Sequence, residues 1–413
     1  MVKGGAAAAV FLALFPAHAA YDLRGLGFLS GGTESVAYGI SGDGGTVVGY
    51  SNTSQALHEA TKWTLGSDTI TLTPLGGLGS NPVNSLAYGV NVDGTLIVGT
   101  SDTANDETHA FSFDTAIHDL GMLSQTPAEL RGVDDAGTVA AGSGKRTTTY
   151  GTFVRPASYT FASGTWTDLG NLFPSAPDYG DGAAYAVSAD GQYIVGKAAG
   201  LVGTTLKDRA FRTKVGSGEM EDLGSIGPAG EGGETSTAYG VNRDGSIVVG
   251  SGTVMEDTGG DDPVLVTEAF IWDSDSQEMN GLGDLPGGGF RSEAFDVSAD
   301  GTVIVGVGRT GADTDAHPDE AFVYFTRTGQ MELLSSVLVA NGVDLSGWQQ
   351  LLEARAISDD GTRIAGVGLR ADGVTQEAFV ATIEVPELEN YGWFAASMLL
   401  GMGLWRRCVA KRP

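Results

Sequence analysis

Hydrophobic and polar positions along this chain fall into a unit that recurs seven times. Each unit has an apolar run such as AYGV (238–241), a polar turn ending in glycine, and a β-branched run such as IVVG (247–250). The second run does not alternate with polar residues, which is typical of a strand buried on both faces. An alternating run such as EAFIW (268–272) and a short Asp-Leu-Gly run complete the unit. The pattern therefore predicts four short strands per unit.

The turn between the first two strands contains the one residue type that all seven units share. Its glycines are Gly45, Gly94, Gly137, Gly191, Gly245, Gly301 and Gly361, with a mean spacing of about 53 residues. Five turns follow a Ser/Asn/Asp-x-Asp-Gly pattern, whereas the first inserts a second glycine after Asp43 and the third has Ala136 in place of the aspartate. A glycine here predicts a type I turn followed by a residue with positive φ. Because Ala136 cannot be a ligand, the turn does not indicate calcium binding.

Four strands repeated at this spacing, with no helical periodicity between them, predict an all-β fold. We expect a single seven-bladed β-propeller of four-stranded blades over residues 21–384. The two ends complement each other, because Tyr21–Phe28 contains an unpaired Asp-Leu-type run and the seventh unit stops one strand short. Pairing of Tyr21–Phe28 beside Ala378–Glu384 would close the ring. An open β-solenoid or a string of small sandwiches is the alternative, and a short helix is expected within 334–342.

Composition and charge narrow the classes of partner. The 413 residues include 64 glycines, which the repeated turns account for, and 51 acidic against 23 basic residues give a net charge of -28. No nucleic acid partner is expected, because its phosphates would be repelled. The only cysteine, Cys408, lies near the C-terminus, so the body of the protein has no disulfide and no thiolate zinc site.

The two terminal segments differ from the repeats. Residues 1–20 combine an early lysine, an apolar run and a small-x-small cleavage site, and so predict a secretory signal peptide; an apolar first strand is the alternative. Residues 385–413 contain an apolar stretch at 391–405 that Arg406 and Arg407 follow. This stretch is shorter than the roughly 20 residues of an ordinary membrane span. Its basic end would stay in the cytoplasm.

Two resemblances add to this interpretation. With its DLGxL, AYGVSxDGxxVVG and EAFxW runs, the body over 21–384 resembles the HAF-type extracellular repeat family of bacterial surface or secreted proteins, which implies a propeller-like architecture but no established reaction. The tail is similar to the PEP-CTERM sorting signal of Gram-negative bacteria, which implies cleavage by an exosortase, although Leu388 stands where a second proline is expected. A plain tail anchor is the alternative. The sorting residues would be Val385, Pro386, Glu387, Arg406 and Arg407.

Positions that vary between units are the candidates for a binding site. In a propeller the first strand of each blade lies nearest the central channel. The second position of that strand holds Tyr38, Tyr88, Arg131, Tyr185, Tyr239, Phe295 and Arg355. The third position holds Asp296 in the sixth unit and glycine or alanine in the other six. Arg131, Arg355 and Asp296 are therefore candidate ligand-binding residues, and a packing role for Asp296 is the alternative.

Evidence for catalysis is slight. The zinc-protease HExxH motif, the GxSxG nucleophile elbow and the GxxxxGK[ST] phosphate loop do not occur. The GxGxxG run at 306–311 leads into an acidic loop rather than a helix, so it does not predict dinucleotide binding. Asp296 is the one candidate catalytic residue. A glycosidase needs a second carboxylate, and Asp134 is the candidate for that role.

Acidic loops between the second and third strands are candidates for calcium binding. Extracellular modules bind calcium through carboxylates with dissociation constants of about 10⁻⁴–10⁻³ M. Such loops are also commonly just solvated, which is the alternative here. The candidate ligands are Asp257, Asp261, Asp262, Asp313, Asp315 and Asp319.

Together these features predict an exported, membrane-anchored or extracellular protein of a Gram-negative bacterium that acts as a non-enzymatic binding or scaffold module. The expected partners are an exosortase-type enzyme, the membrane through residues 391–405, and an extracellular polysaccharide or protein. No cofactor is expected, with calcium as the open possibility. One alternative is a propeller enzyme, a hydrolase or lyase, that acts on extracellular polysaccharide. The other is a calcium-stabilised structural surface protein.

Overall fold

The computed structural model describes most of the body of the chain. The described residues run from 21 to 386, without 56, 80–83, 173–179, 203–204, 228–233, 257–263, 288–290 and 312–318. They form seven four-stranded antiparallel sheets and one short helix. The prediction of a seven-bladed β-propeller is therefore confirmed.

The strands follow one another in the same order in every blade. After β1 (Asp22–Gly25), blade 1 contains β2 (Ser35–Ile40), β3 (Thr46–Asn52), β4 (His58–Leu65) and β5 (Ile70–Gly76). Blade 2 contains β6 (Ser85–Val90), β7 (Ile97–Asp102), β8 (Thr108–Phe113) and β9 (Ile117–Asp119). Blade 3 contains β10 (Gln125–Val133), β11 (Val139–Thr148), β12 (Gly151–Thr160) and β13 (Thr165–Asp168). Blade 4 contains β14 (Gly182–Val187), β15 (Tyr193–Val202), β16 (Thr205–Lys214) and β17 (Met220–Asp222).

The remaining blades include the helix and the closing strand. Blade 5 contains β18 (Ser236–Val241), β19 (Ile247–Glu256), β20 (Val264–Asp273) and β21 (Glu278–Gly281). Blade 6 contains β22 (Ser292–Val297), β23 (Val303–Arg309), β24 (Asp319–Phe325) and β25 (Gln330–Leu333), and α1 (Leu334–Ala340) follows it. Blade 7 contains β26 (Trp348–Ile357), β27 (Arg363–Arg370), β28 (Gln376–Thr382) and the first strand of the chain, β1.

The N-terminal strand closes the ring as predicted. Strand β1 pairs antiparallel with β28, so that Asp22 lies opposite Thr382 and Gly25 opposite Phe379. Leu26 continues this pairing through its backbone N–H, which donates to the Ala378 carbonyl at 2.9 Å. Its side chain is 2% exposed in the core between blades 7 and 1. The last blade is thus completed by the first strand, which removes two open sheet edges.

Second strands are buried on both faces, as their unbroken apolar runs predict. In β19, Val248 packs into the core shared with blade 4, and Val249 packs into the core shared with blade 6. Both side chains are fully buried. Each blade therefore uses its second strand to contact both neighbours, which is why polar residues do not alternate there.

The second strand has a glycine in its middle because a carbonyl from the first strand lies against it. At Gly250 an added Cβ would lie 1.9 Å from the Thr237 carbonyl oxygen, and the same contact recurs at 1.9 to 2.1 Å in all seven blades. The register of β18 against β19 shifts there, with Ala238 opposite Gly250 and Gly240 opposite Val249. Tyr239 is the extra residue of this β-bulge. A bulge re-aims the side chain of its extra residue, so the glycine determines where Tyr239 points.

The hairpin turns require one correction to the sequence alignment. In blade 1 the residue with positive φ is Gly44 (φ 69°) rather than Gly45. Its N–H donates to the Ser41 carbonyl at 2.8 Å, as the Gly94 N–H donates to the Asn91 carbonyl in blade 2. The first turn is therefore Ser41-Gly-Asp-Gly44 and follows the common pattern. The predicted positive φ is confirmed at the other six turn glycines, where it lies between 65° and 76°.

In several blades a carboxylate accepts the backbone N–H that follows the outer strand. This carboxylate comes from the outer, fourth strand in some blades and from the third strand in others. In blade 4 the Asp222 carboxylate accepts the Gly224 N–H at 2.9 Å and pairs with Arg209 on the neighbouring strand. In blade 5 the residue aligned with Arg209 is Glu268, whose own carboxylate accepts the Gly283 N–H at 2.9 Å.

The residue at the position of Asp222 in these blades depends on which strand supplies the carboxylate. Where glutamate supplies the cap, the aligned position is Gly281 in blade 5 and Gly25 in blade 7. An added Cβ at these glycines would lie 2.2 Å from the Glu268 carboxylate and 2.4 Å from the Glu377 carboxylate. Blades 2 and 3 use the other arrangement, in which Asp119 pairs with His109 and Asp168 with Arg155. The two positions therefore vary together because one space holds one carboxylate.

Helix α1 fills the gap between blades 6 and 7. Leu334, Val337 and Leu338 are buried in the core that these blades share. The helix ends at Ala340, two residues before Gly342, which has φ 85°. The expected short helix is confirmed.

The terminal segments lie largely outside the described residues. In the described residues of 21–386, which exclude the gaps given above, no helix is long and apolar enough to cross a membrane. Residues 1–20 and 391–405, Glu387, Arg406 and Arg407 are not described, so the predicted signal peptide and sorting tail stay predictions. Val385 packs against the core of blades 6 and 7, and the Pro386 carbonyl accepts a hydrogen bond from Arg327 at 3.3 Å.

Replacing Leu26 by alanine should destabilise the closed ring. The truncation removes a fully buried side chain from the closing strand, and such changes cost about 2–5 kcal/mol of the free energy of unfolding. Leu206→Ala, at a side chain that is 40% exposed, should change it by less than about 0.5 kcal/mol. Urea unfolding of the full chain measures both. Equal effects of the two substitutions would show that β1 does not hold the ring together.

The arrangement of blade 4 should be convertible to that of blade 5 only when both of its residues, Arg209 and Asp222, are replaced together. Arg209→Glu alone places a second carboxylate beside Asp222, and Asp222→Gly alone leaves Arg209 and the Gly224 N–H without their partner, so each should cost about 1–3 kcal/mol. The double substitution recreates the arrangement of blade 5 and should recover at least about 1 kcal/mol relative to the sum. Lys214→Glu, combined with Asp222→Gly, is the matched control. Strict additivity for Arg209 and Asp222 in urea unfolding would contradict this account.

Candidate functional site

The second positions of the seven inner strands form one continuous ring of side chains in the channel. Because each is the extra residue of a β-bulge, all seven turn toward the axis. Neighbours contact each other all the way round, and each side chain is half-buried. We call this set the channel ring: Tyr38, Tyr88, Arg131, Tyr185, Tyr239, Phe295 and Arg355.

The contacts within the channel ring are of two kinds. Aromatic pairs join Tyr38 to Tyr88, Tyr185 to Tyr239 and Tyr239 to Phe295, with centroids 5.1, 5.3 and 5.8 Å apart. Cation–π contacts place Arg131 between Tyr88 and Tyr185, and Arg355 between Phe295 and Tyr38, at 4.8 to 5.7 Å. Each arginine therefore lies between two aromatic side chains.

Each arginine of the channel ring is also paired with a glutamate two residues before it. Arg131 donates Nε and Nη2 hydrogen bonds to the two carboxylate oxygens of Glu129, both at 3.0 Å. Arg355 is in ion-pair contact with Glu353. Burial lowers the pKa of Arg131, but Glu129 and the neighbouring tyrosines raise it overall, so the guanidinium stays charged. Burial raises the pKa of Glu353, against the opposing effect of Arg355.

Three tyrosines of the channel ring, Tyr38, Tyr88 and Tyr239, are held as neutral hydroxyl groups by burial. Burial raises the pKa of Tyr88 and of Tyr239 to about 12, and it also raises the pKa of Tyr38. Neutral phenols present an apolar face and one hydroxyl that donates and accepts hydrogen bonds. With both arginines paired, the ring offers aromatic faces and polar tips rather than strong net charge.

Asp296 lies one residue below the channel ring and faces the channel. Its two carboxylate oxygens accept the backbone N–H groups of Val297 and Ile357, each at 2.9 Å, so it ties blade 6 to blade 7. It lines a cavity of about 190 Å³ on the ring side and another of about 120 Å³ on the far side. Burial raises its pKa to about 7, the two N–H groups oppose this shift, and the charge of Asp359 adds to it.

At two of the glycines in the third position, the neighbouring inner strand leaves no room for a side chain like that of Asp296. An added Cβ at Gly39 would lie 2.5 Å from the Tyr88 carbonyl oxygen, and one at Gly89 would lie 2.7 Å from the Arg131 carbonyl oxygen. Since the other six third positions hold glycine or alanine, Asp296 is the one third-position residue that brings a polar side chain into the channel. The packing alternative is supported in part, because its carboxylate does join two blades.

An ion-pair clasp crosses the opposite end of the channel. Arg243, in the turn of blade 5, donates to Asp135 of blade 3 at 2.8 Å and contacts Asp359 of blade 7. The turns around it are also joined through backbone hydrogen bonds, among them Asp359 N–H to the Gly42 carbonyl at 3.0 Å. Sequence reasoning did not find Arg243, because it stands in the variable position of a turn whose other residues repeat.

Asp134 is not a partner for Asp296. Its carboxylate is buried in the turn of blade 3, where it accepts the N–H groups of Thr138 and Val139, both at 2.7 Å, and the Thr138 hydroxyl. It takes the place of the serine or asparagine that caps the other turns, and it lines neither channel cavity. Asp134, the candidate second carboxylate of a glycosidase, is therefore held in the turn of blade 3.

The calcium candidates lie almost entirely outside the described residues. Asp257, Asp261, Asp262, Asp313 and Asp315 are not described. Asp319 is described, and its carboxylate accepts hydrogen bonds from Arg291 and Arg309, at 2.8 to 2.9 Å. Two guanidinium groups thus occupy the oxygens that calcium would need. The described part of the chain contains no group of three or more potential ligands placed to hold a metal ion.

Comparison with known proteins gives similarity of shape only. No family model and no curated protein matches the chain. TolB from Acinetobacter baumannii is 12% identical over 70% of this chain and 63% of its own, with a TM-score of 0.44. A puromycin-hydrolyzing peptidase of Mycobacterium tuberculosis is 16% identical over 70% of this chain and 42% of its own, at 0.42. The propeller domain of the Trilobed protease from Pyrococcus furiosus is 10% identical over 86% of this chain and 98% of its own, at 0.47.

Asp296 should make the stability of the protein depend on pH. Its pKa is about 7 in the folded chain against 3.8 for an ordinary aspartate, so between these values the folded state retains a proton that the unfolded state has lost. Stability from this group therefore falls as pH rises from about 4 to about 7 and then levels off. The fall is at most about 4 kcal/mol, and less where water in the cavities screens the charge.

Urea unfolding at several pH values measures this effect as the difference between the wild type and Asp296→Asn. The free energy of unfolding of the wild type should decline relative to the variant across pH 4 to 7. Parallel curves for the two proteins would show that the Asp296 carboxyl does not carry a raised pKa.

Proposed function

We propose that the protein is a non-enzymatic binding module of the bacterial envelope or extracellular matrix, and that it binds a neutral saccharide at the channel ring. The observation that carries this proposal is the closed circle of five aromatic residues and two paired arginines around one channel. Export through residues 1–20 and sorting through residues 385–413 by an exosortase are part of the same proposal.

Aromatic faces and polar tips together favour a saccharide over an apolar ligand. The C–H faces of a sugar ring pack on aromatic side chains, and its hydroxyl groups need hydrogen-bond partners. The channel ring offers both, because its four tyrosines carry hydroxyl groups and Arg131 and Arg355 hold Glu129 and Glu353 beside the same opening. Pockets with apolar walls and a few oriented polar groups are typical ligand sites.

Charge favours a neutral saccharide over an acidic one. The net charge of -28 repels polyanions at a distance. Close to the site, both arginines already have a carboxylate partner, so no unpaired cation of the channel ring is available to an acidic sugar. A neutral polysaccharide avoids both costs.

The geometry supports binding rather than hydrolysis. Both oxygens of Asp296 accept backbone N–H groups, and Asp134, the candidate second carboxylate, is a buried turn residue. Inverting and retaining glycosidases both need two carboxyl groups that flank the scissile bond. Sugar release that is abolished by Asp296→Asn would favour the enzyme instead. Calcium at the loops that include Asp257 and Asp313 stays a separate prediction.

Binding can be tested by thermal melts of the full chain with a panel of neutral and acidic polysaccharides, each with and without calcium. A ligand at 100 times its dissociation constant stabilises the native state by about 2.7 kcal/mol. Tyr185→Ala combined with Tyr239→Ala should abolish the shift that a neutral saccharide causes, because it removes two adjacent faces of the channel ring. The control, Tyr150→Ala, changes a tyrosine that is 60% exposed on the β11–β12 hairpin and should keep the shift.

The ligand-induced shift, rather than the melting temperature itself, separates binding from any loss of stability. Tyr185→Phe with Tyr239→Phe keeps the aromatic faces and should retain most of the shift. An unchanged shift in the double alanine variant would place the ligand elsewhere. Absence of any saccharide-induced shift would reject a saccharide as the ligand, and a shift with calcium alone would favour the calcium-stabilised structural protein.

A further inference from the structure

The channel differs at its two ends, with the channel ring on one side and the ion pairs of Arg243 on the other. Resting on the proposed saccharide binding, we infer that it recognises the terminal unit of a saccharide, which enters through the channel ring and stops at Asp296, rather than an internal segment of a polymer. Three features carry this inference: the crossed far end, the single polar group at the floor, and the size of the cavity.

The far end of the channel is crossed by the clasp of Arg243, Asp135 and Asp359. The guanidinium reaches from blade 5 to carboxylates of blades 3 and 7, so it extends over the axis. Backbone hydrogen bonds between neighbouring turns hold the blades close there, such as Arg243 N–H to the Ala299 carbonyl at 3.3 Å and Asp135 N–H to the Ala189 carbonyl at 3.1 Å. A chain of sugar rings cannot pass through without breaking both ion pairs.

The floor below the channel ring offers one polar side chain on an otherwise small-residue surface. At this level the other six blades have glycine or alanine, and Asp296 lines the cavity from blade 6 alone. Each of its carboxylate oxygens accepts one backbone N–H and retains a second lone pair. A hydroxyl of an inserted unit therefore has one defined acceptor, which fixes its orientation.

The space above this floor holds one small unit. The ring-side cavity of about 190 Å³ lies below the range of about 300–1,000 Å³ typical of sites for drug-sized ligands. The units that follow the terminal one must lie at or above the channel ring, on the side where the first strands begin. An internal unit of a polymer is bonded to a neighbour on each side, but the cavity opens only through the channel ring. An internal unit therefore does not fit in it.

The test uses a neutral extracellular polysaccharide of bacterial matrix in two forms, intact and after partial acid hydrolysis. The two forms compete for the full-length protein, and the apparent dissociation constant of each is measured. Hydrolysis leaves the mass of sugar unchanged and multiplies the number of chain ends. If the end is recognised, a tenfold increase in ends should lower the apparent dissociation constant, expressed as sugar mass, about tenfold. An equal constant by mass for both samples would overturn end recognition and leave the proposed function standing. Binding of neither sample would overturn the proposed function.

Substitution at the floor provides a second, independent test. Asp296→Asn should weaken binding of the hydrolysed saccharide at least tenfold, measured by calorimetry at a pH where both proteins are folded. Asp134→Asn is the matched control, because it changes a buried carboxylate that accepts backbone N–H groups outside the channel, and it should leave the affinity unchanged. Unchanged affinity in Asp296→Asn would show that the inserted unit does not reach the floor.

Discussion

The contact between a first-strand carbonyl and a second-strand glycine is the constraint on which the rest of the channel depends. In every blade this carbonyl lies about 2 Å from where a Cβ would be, so only glycine allows the two strands to meet. The resulting bulge gives the first strand one extra residue, and that residue turns to the axis. A repeated packing requirement in the blade therefore creates a ring of seven side chains whose identities are not restricted by the sheet itself.

The outer parts of the blades show how one structural need is met in two ways. In blades 2 to 5 and in blade 7 the backbone N–H after the outer strand has a carboxylate acceptor, which is either an aspartate with a basic partner or a glutamate opposite glycine. Both arrangements place one carboxylate in the same space. Units can therefore diverge in sequence while blade geometry stays constant, provided that the two positions change together.

Much of the fold could be predicted from the sequence, because each blade repeats the same short-range signals. Strand number, blade number and ring closure by residues 21–28 follow from the spacing of turns and from the incomplete ends, and the short helix follows from the irregular run within 334–342. The shift from Gly45 to Gly44 could not be predicted, because two adjacent glycines are equally able to take positive φ. The clasp of Arg243 depends on which blades face each other across the channel, and strand periodicity does not contain that information.

Residues of the candidate site could be predicted from the sequence only at positions that differ between the repeated units. Arg131, Arg355 and Asp296 stood out because most of their aligned positions hold other residue types, whereas tyrosine is the common residue of the second position. The structure places all of them in one channel, and it places Asp134 in the turn of blade 3. Sevenfold repetition by itself would make a symmetric opening with no preferred orientation for a ligand. Arg131, Phe295 and Arg355 already break that symmetry in the channel ring, and Asp296 at the floor and Arg243 at the far end make the two ends of the channel chemically different.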